Sequence, residues 1–336
     1  MRLRLRPTQF STPYKGSLLR YTVLMRNVTL QNNTINTCPI GVFDSGIGGL
    51  TVAREIAGRL PSESILYFGD TLRCPYGPRS LEEIRSFALQ ISRWLAKQEV
   101  KLIVVACNSA TAAGLDVIQQ ESAVPVIGVV EPGARAAVKA TLARRVGVIG
   151  TKATIESDIY SRAIRSLDAG ITTFSVATPR FVEMVEQGLR LDDNPIEDIV
   201  AAVSPIYIRP AFHQIARDYL DPSKRCKVDT LVLGCTHYPL LTPLISQVMG
   251  PDVAIISSAE ETAKDVAETL ERRGQLATEG TTPMYSFVTT THNLDEFAAL
   301  GTAVFGAPIT SPLTVAISEL EELGSAGLSF ELRGLQ

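Results

Sequence analysis

Two cysteines stand at matching places in this chain. Cys107 closes the apolar run Leu102-Ile-Val-Val-Ala and precedes Asn108 and Ser109; Cys235 closes Thr230-Leu-Val-Leu-Gly and precedes Thr236 and His237. A thiol that ends a buried strand and opens a helix meets the helix dipole and its free N–H groups, which lower its pKa from about 8.5 toward neutrality. A thiolate there is a competent base or nucleophile. One such cysteine is ordinarily a small core residue. Two in matching settings, each followed by polar groups, point to chemistry. Asp44-Ser45-Gly46-Ile47-Gly48-Gly49 adds a carboxylate at a strand end, with glycines opening a helix at Leu50. Its spacing matches neither the dinucleotide fingerprint nor a phosphate-binding P-loop, so its N–H groups are expected to meet a small anion such as a carboxylate. In Cys74-Pro75-Tyr76-Gly77-Pro78 the prolines restrict the backbone and fix two N–H groups in direction, while Cys74 reads as a packing residue. His237 is placed to orient or protonate a neighbour of Cys235. No Cys/His set falls at zinc spacing, so no metal is expected. His213 and His292 read as surface residues.

The elements that must position these groups are visible as periodicity. Ile40–Phe43, Ile65–Phe68, Leu102–Ala106, Val126–Val130, Val146–Ile149, Thr172–Val176, Thr230–Leu233 and Val253–Ile256 read as buried strands. Amphipathic helices separate them. The clearest follows Ser80, which forms a capping box with Glu83, and runs through Leu81, Ile84, Phe87, Ala88, Ile91, Trp94 and Leu95. Such alternation implies an α/β fold of doubly wound parallel sheets, with ligands at the carboxyl ends of the strands. The halves also echo each other. The Cys107 and Cys235 strands share one form, as do Ile40-Gly-Val-Phe-Asp44-Ser45 and Val146-Gly-Val-Ile-Gly-Thr151. Two related α/β domains facing each other are the expectation.

Composition sets the outer bounds. The chain has 336 residues, 45% hydrophobic and 20% charged, with a net charge of −3, as in an ordinary globular protein. That charge excludes a basic surface over the whole molecule for nucleic acid or anionic lipid. No apolar run reaches the roughly 18 residues of a membrane span. Five scattered cysteines (Cys38, Cys74, Cys107, Cys226 and Cys235) fit a reduced cytosol rather than a disulfide framework. Residues 1–37 carry six basic residues and no acidic one. They read as a disordered extension, a transit-like presequence, or a start placed too early, with Met25 as an alternative start.

Together these residues resemble glutamate racemase, of the aspartate/glutamate racemase superfamily. The matching runs are Gly41-Val-Phe-Asp44-Ser45-Gly-Ile-Gly-Gly49-Leu-Thr-Val, Tyr67-Phe-Gly-Asp70-Thr with Cys74-Pro-Tyr76-Gly77-Pro, Ala106-Cys107-Asn108-Ser109-Ala, Glu131-Pro-Gly133, and Leu233-Gly-Cys235-Thr236-His237-Tyr-Pro. Weaker matches continue to about Leu300. Ser109 stands where the family often has threonine, and Thr178-Pro-Arg replaces a frequent Cys-Pro motif.

The resemblance implies two similar flavodoxin-like domains with the active site in the cleft between them. The first would take 38–130 and about 243–336, the second about 131–242. It implies L-glutamate and D-glutamate as substrates, no cofactor, a homodimer, a cytoplasmic location and a supply of D-glutamate for peptidoglycan. Cys107 would act on D-glutamate and Cys235 on L-glutamate, with Asp44 assisting the first and His237 and Glu186 the second. Asp44, Ser45, Tyr76, Gly77, Asn108, Ser109, Thr151, Thr154, Thr236 and His237 would hold the substrate. An association of some relatives with DNA gyrase makes a protein partner conceivable for the basic N-terminal stretch. The alternatives are a sister racemase acting on aspartate, a cysteine-nucleophile amidohydrolase, and a non-catalytic binding protein.

Overall fold

The computed structural model describes residues 35–190 and 210–325. Most of the basic 1–37 stretch therefore lies outside the described residues. All eight expected strands form: β1 (Ile40–Asp44), β2 (Ile65–Gly69), β3 (Leu102–Val105), β4 (Val126–Gly128), β5 (Arg145–Gly150), β6 (Thr172–Ala177), β7 (Thr230–Gly234) and β8 (Ala254–Ser257). Two more follow that the sequence did not suggest, β9 (Tyr285–Thr289) and β10 (Leu313–Thr314). The helices, in chain order, begin with α1 (Leu50–Arg59), α2 (Leu81–Lys97), α3 (Asn108–Glu121), α4 (Val130–Ala140), α5 (Lys152–Glu156) and α6 (Ile159–Leu167). They continue with α7 (Arg180–Arg190), α8 (Pro210–Arg225), α9 (Thr242–Met249), α10 (Ser258–Arg272), α11 (Leu294–Phe305) and α12 (Ile317–Ser325).

The strands form two sheets in which every pairing is parallel, ordered β10-β9-β2-β1-β3-β4 and β6-β5-β7-β8. Within both runs the order is second, first, third, fourth, so β1 corresponds to β5 and β3 to β7. The echo heard in the sequence is thus a repeat of topology. In such sheets the crevice for a ligand opens at the carboxyl ends of the first and third strands, where the order reverses. Asp44 and Cys107 stand at those ends in one sheet, Thr151 and Cys235 in the other. The second sheet takes the chain to Ser257, past the boundary expected at about 242, because β8 pairs with β7. The chain then passes into α10, which packs against both α1 and α4.

Burial separates central from edge strands. β1, β2, β3 and β7 are buried throughout. β6 and β8 are partly exposed, since each lies at an edge and is covered on fewer sides. Ser80 caps α2 as expected, accepting the Glu83 N–H at 3.2 Å. Ile84, Ala88, Ile91, Trp94 and Leu95 are buried along that helix, whereas Leu81 in its first turn is exposed.

Candidate active site

The loop after β1 folds around its own carboxylate. Asp44 Oδ2 accepts the N–H groups of Gly46 at 3.1 Å and Gly49 at 3.0 Å. Those donors are therefore occupied by Asp44 rather than presented to an anion, contrary to the expectation for this loop. Asp44 Oδ1 faces the other sheet, where the Thr236 hydroxyl donates to it at 3.4 Å. Gly48 sits so close to that sheet that a Cβ there would fall 2.4 Å from Thr236 Oγ1 and 2.5 Å from His237 Nδ1. Thr51 Oγ1 reinforces the junction by bonding to the Thr236 carbonyl at 3.0 Å.

Cys107 caps α3, and its Sγ accepts the Ala110 N–H at 3.5 Å. Its pKa is nevertheless raised, not lowered toward neutrality. Burial is the main cause and the Asp44 carboxylate adds to it; the Ala110 N–H acts the other way and is outweighed. The helix N-terminus is real, but the site is too dry for it to prevail. Cys235 differs from expectation in another way. A short 3₁₀ turn, Tyr238–Leu241, follows it, and α9 begins only at Thr242.

The partner of Cys235 is His237, whose Nδ1 lies 3.9 Å from Sγ and whose Nε2 lies 3.4 Å from Glu186 Oε1 on α7. Burial alone would lower the pKa of this ring. Its contacts with Cys235 and Glu186 outweigh burial and raise the value to about 10. His237 thus holds a proton through neutral pH.

Hydroxyl groups join the two sheets on the opposite side. Ser109 Oγ lies 2.8 Å from Thr151 Oγ1, and Thr151 Oγ1 lies 3.0 Å from Thr154 Oγ1. The Gly77 carbonyl accepts from Ala153 N at 3.0 Å, tying the Cys74–Pro78 loop to α5. The Tyr76 hydroxyl donates to Asp70, which also accepts from Arg73 Nε at 2.6 Å. Asn108 Oδ1 accepts from the Tyr160 hydroxyl at 2.7 Å, while its buried Nδ2 has no hydrogen-bond partner among the described residues.

These groups converge on one cavity of about 30 Å³. Ser45, Tyr76, Gly77, Cys107, Asn108, Ser109, Thr151, Cys235, Thr236 and His237 all line it. Asp44, Thr154 and Glu186 stand behind that lining, in contact with Thr236, Ser109 and His237 respectively. Cys74, read from the sequence as a packing residue, also lines it. Val182 of α7 lines it as well; a half-buried valine on an amphipathic helix carries no sequence signal of that place. Cys74, Pro75 and Val182 are shared with an adjoining cavity of about 410 Å³ that Glu183, Glu186 and Phe297 help to line. His292 is exposed as expected, whereas His213 is half-buried.

Residues 50–266 match the Asp/Glu/Hydantoin racemase family model. The chain belongs to that family. It is an amino-acid racemase, an isomerase. Glutamate racemase of Exiguobacterium sibiricum is 48% identical over 235 residues, which make up 70% of this chain and 80% of the relative. The crystal structure of glutamate racemase from Bacillus anthracis is 41% identical, with a TM-score of 0.74 over 84% of this chain and 98% of that one. Glutamate racemase from Francisella tularensis, solved in complex with D-glutamate, is 33% identical, with a TM-score of 0.73 over 84% of this chain and 98% of that one. The fold is that of these racemases, two flavodoxin-like parallel sheets. No described helix is long and apolar enough to cross a membrane.

Proposed function

We propose that this chain interconverts L-glutamate and D-glutamate by two-base proton transfer, with Cys107 and Cys235 on opposite faces of the α-carbon. The observation that carries this reading is topological. Equivalent strands of two equivalent sheets each end in a cysteine, and both thiols line one small cavity. The substrate assignment draws on the glutamate racemase relatives, one of them solved with D-glutamate.

An amino-acid α-proton is very weakly acidic, so the site must exclude water and meet the negative charge that develops on the carboxylate. For L-glutamate the Cys235 sulfur, acting as the base beside the His237 ring, takes the α-proton. The C–H electron pair moves into the carboxylate, which becomes an enediolate. The Cys107 thiol then delivers its proton to the opposite face, forming the new C–H bond and leaving a Cys107 thiolate. Cys107 starts as a thiol because burial raises its pKa. The reverse reaction exchanges the two roles, as suits a reaction whose directions are mirror images. Asn108, Ser109, Thr236 and the Gly77 backbone hold the substrate, Asp44 supports the Cys107 side, and Glu186 supports His237.

On this reading each sheet with its helices is a domain, and the pair closes on the ligand. The enzyme works in the cytoplasm, as a homodimer, and supplies D-glutamate for peptidoglycan.

The test is incubation with L-glutamate in D₂O without added cofactor, following optical activity and the α-deuterium of both enantiomers. Early deuterium should enter mainly the newly formed D-glutamate. Cys107→Ala and Cys235→Ala should each lower kcat by about 10³-fold or more, the scale of a lost acid–base group. Near-full turnover in either mutant would defeat the two-base assignment, and activity on aspartate alone would transfer the reading to a sister racemase.

A further inference from the structure

An unsatisfied donor sits in the wall of the site. Asn108 is 2% exposed, and its Nδ2 has no partner while its Oδ1 is held by the Tyr160 hydroxyl. A buried donor without a partner is costly and usually marks a place where a ligand completes the bond. An asparagine amide is two-ended. Rotation about its last torsion exchanges donor and acceptor, so the residue type alone does not fix which end meets a substrate.

We propose that Tyr160 is a positioning residue of the active site, fixing the Asn108 amide so that Nδ2, and not Oδ1, meets the substrate carboxylate. This rests on the reading of the cavity as the glutamate site. A phenol that donates to Oδ1 turns the amide NH₂ group toward the cavity that Asn108 lines. The opposite orientation would set an acceptor oxygen against a carboxylate. Burial pushes the phenol's pKa up, so it stays a neutral donor at any physiological pH.

The seating of the ring ties this bond to both cysteines. A Cβ at Gly234, the residue before Cys235, would come 3.1 Å from Tyr160 Cε2, and one at Gly133 would come 3.4 Å from Cε1. The ring is therefore gauged against the end of β7, while its hydroxyl reaches the residue after Cys107. Gly133 of the Glu131-Pro-Gly133 run borders the other edge of the ring at ordinary contact distance. Because the bond runs from α6, behind the second sheet, to α3, behind the first, it forms only when the two sheets are together. The carboxylate donor is thus presented in the closed arrangement alone.

Tyr160→Phe keeps the ring and removes the donor. Expected is a fall of about tenfold in kcat/KM in both directions, carried mostly by kcat, because the lost alignment matters most as charge grows on the enediolate. Asn108→Ala should lose more. In the Asn108→Ala background, Tyr160→Phe should change kcat by less than about twofold, since the two residues act as one unit. Wild-type kcat/KM in Tyr160→Phe, or an equal loss in both backgrounds, overturns the positioning role and leaves the racemase reading intact. A wild-type protein that does not racemise glutamate overturns both.

Should Tyr160→Phe fail to fold, Asn108→Asp tests the same bond from the other side. It keeps an acceptor for Tyr160 and puts an anionic oxygen where Nδ2 was, so it should lose more than Asn108→Ala. A milder effect than Asn108→Ala overturns the inference.

Discussion

At His237, burial by itself would strip the ring of its proton, yet contacts with Cys235 and Glu186 reverse that and carry the pKa to about 10. The proton is present at neutral pH and lost only as the pH rises through that value. Glu186 provides one of the two opposing contacts, so Glu186→Gln should move the basic limb of the kcat/KM profile to lower pH, with KM little changed. A limb that stays in place would show that Glu186 does not act through the imidazole. At this scale the sequence was legible in residue type and illegible in ionisation. Cys107, Cys235 and His237 could be picked out by their places at strand ends. That burial and Asp44 would raise the Cys107 pKa against a helix N-terminus could not be read, because it depends on how completely two distant chain segments exclude water. Tyr76 was legible as a site residue but not in its direction, since its hydroxyl partner Asp70 lies in a different turn.

Among the elements, the loop between β1 and α1 does the most for the site. It carries Asp44, wraps its N–H groups around that carboxylate, and brings Gly48 against Thr236 and His237. Gly48→Ala would drive a methyl group into the Thr236 hydroxyl and the His237 ring at less than contact distance, and neither is a freely swinging side chain. We expect kcat to fall by about 10²-fold, the scale of a 1 Å misplacement of catalytic groups. Far-UV circular dichroism should stay native, because the clash is confined to Thr236 and His237. Unchanged turnover would mean that the sheets do not need this approach. The eight strands legible in the sequence are those with β-branched apolar runs bounded by turn residues. β9 carries no clear signal because Tyr-Ser-Phe-Val-Thr mixes polar and apolar residues and gains its place by pairing with β2 and β10. β10 is two residues long and has no periodicity to detect.

For the whole molecule, the decisive quantity is the size of the site. A cavity of about 30 Å³ has room for only a few waters. On the reading proposed above, glutamate needs more room than this cavity gives, and the expectation is that the two sheets move apart and return around it. The chain offers two crossings for such a motion, β4 into α4 and β8 into α10, with α10 packed on both sides. The sequence foretold two related halves, because the repeat is written in the strands. It could not foretell their closed arrangement, which rests on cross-contacts such as Ser109 with Thr151 that have no local pattern. Those two hydroxyl oxygens lie 2.8 Å apart, so Ser109→Cys combined with Thr151→Cys should form a disulfide across the cleft. Peptide mapping would establish that the engineered pair, and not Cys74, Cys107 or Cys235, had joined. The oxidised protein should be inactive at any glutamate concentration and on reduction regain the lower turnover that loss of the Ser109 and Thr151 hydroxyls leaves, since a locked cleft cannot admit or release substrate. Full activity while cross-linked would mean that glutamate reaches the thiols without separation of the sheets, and the requirement for opening would fall.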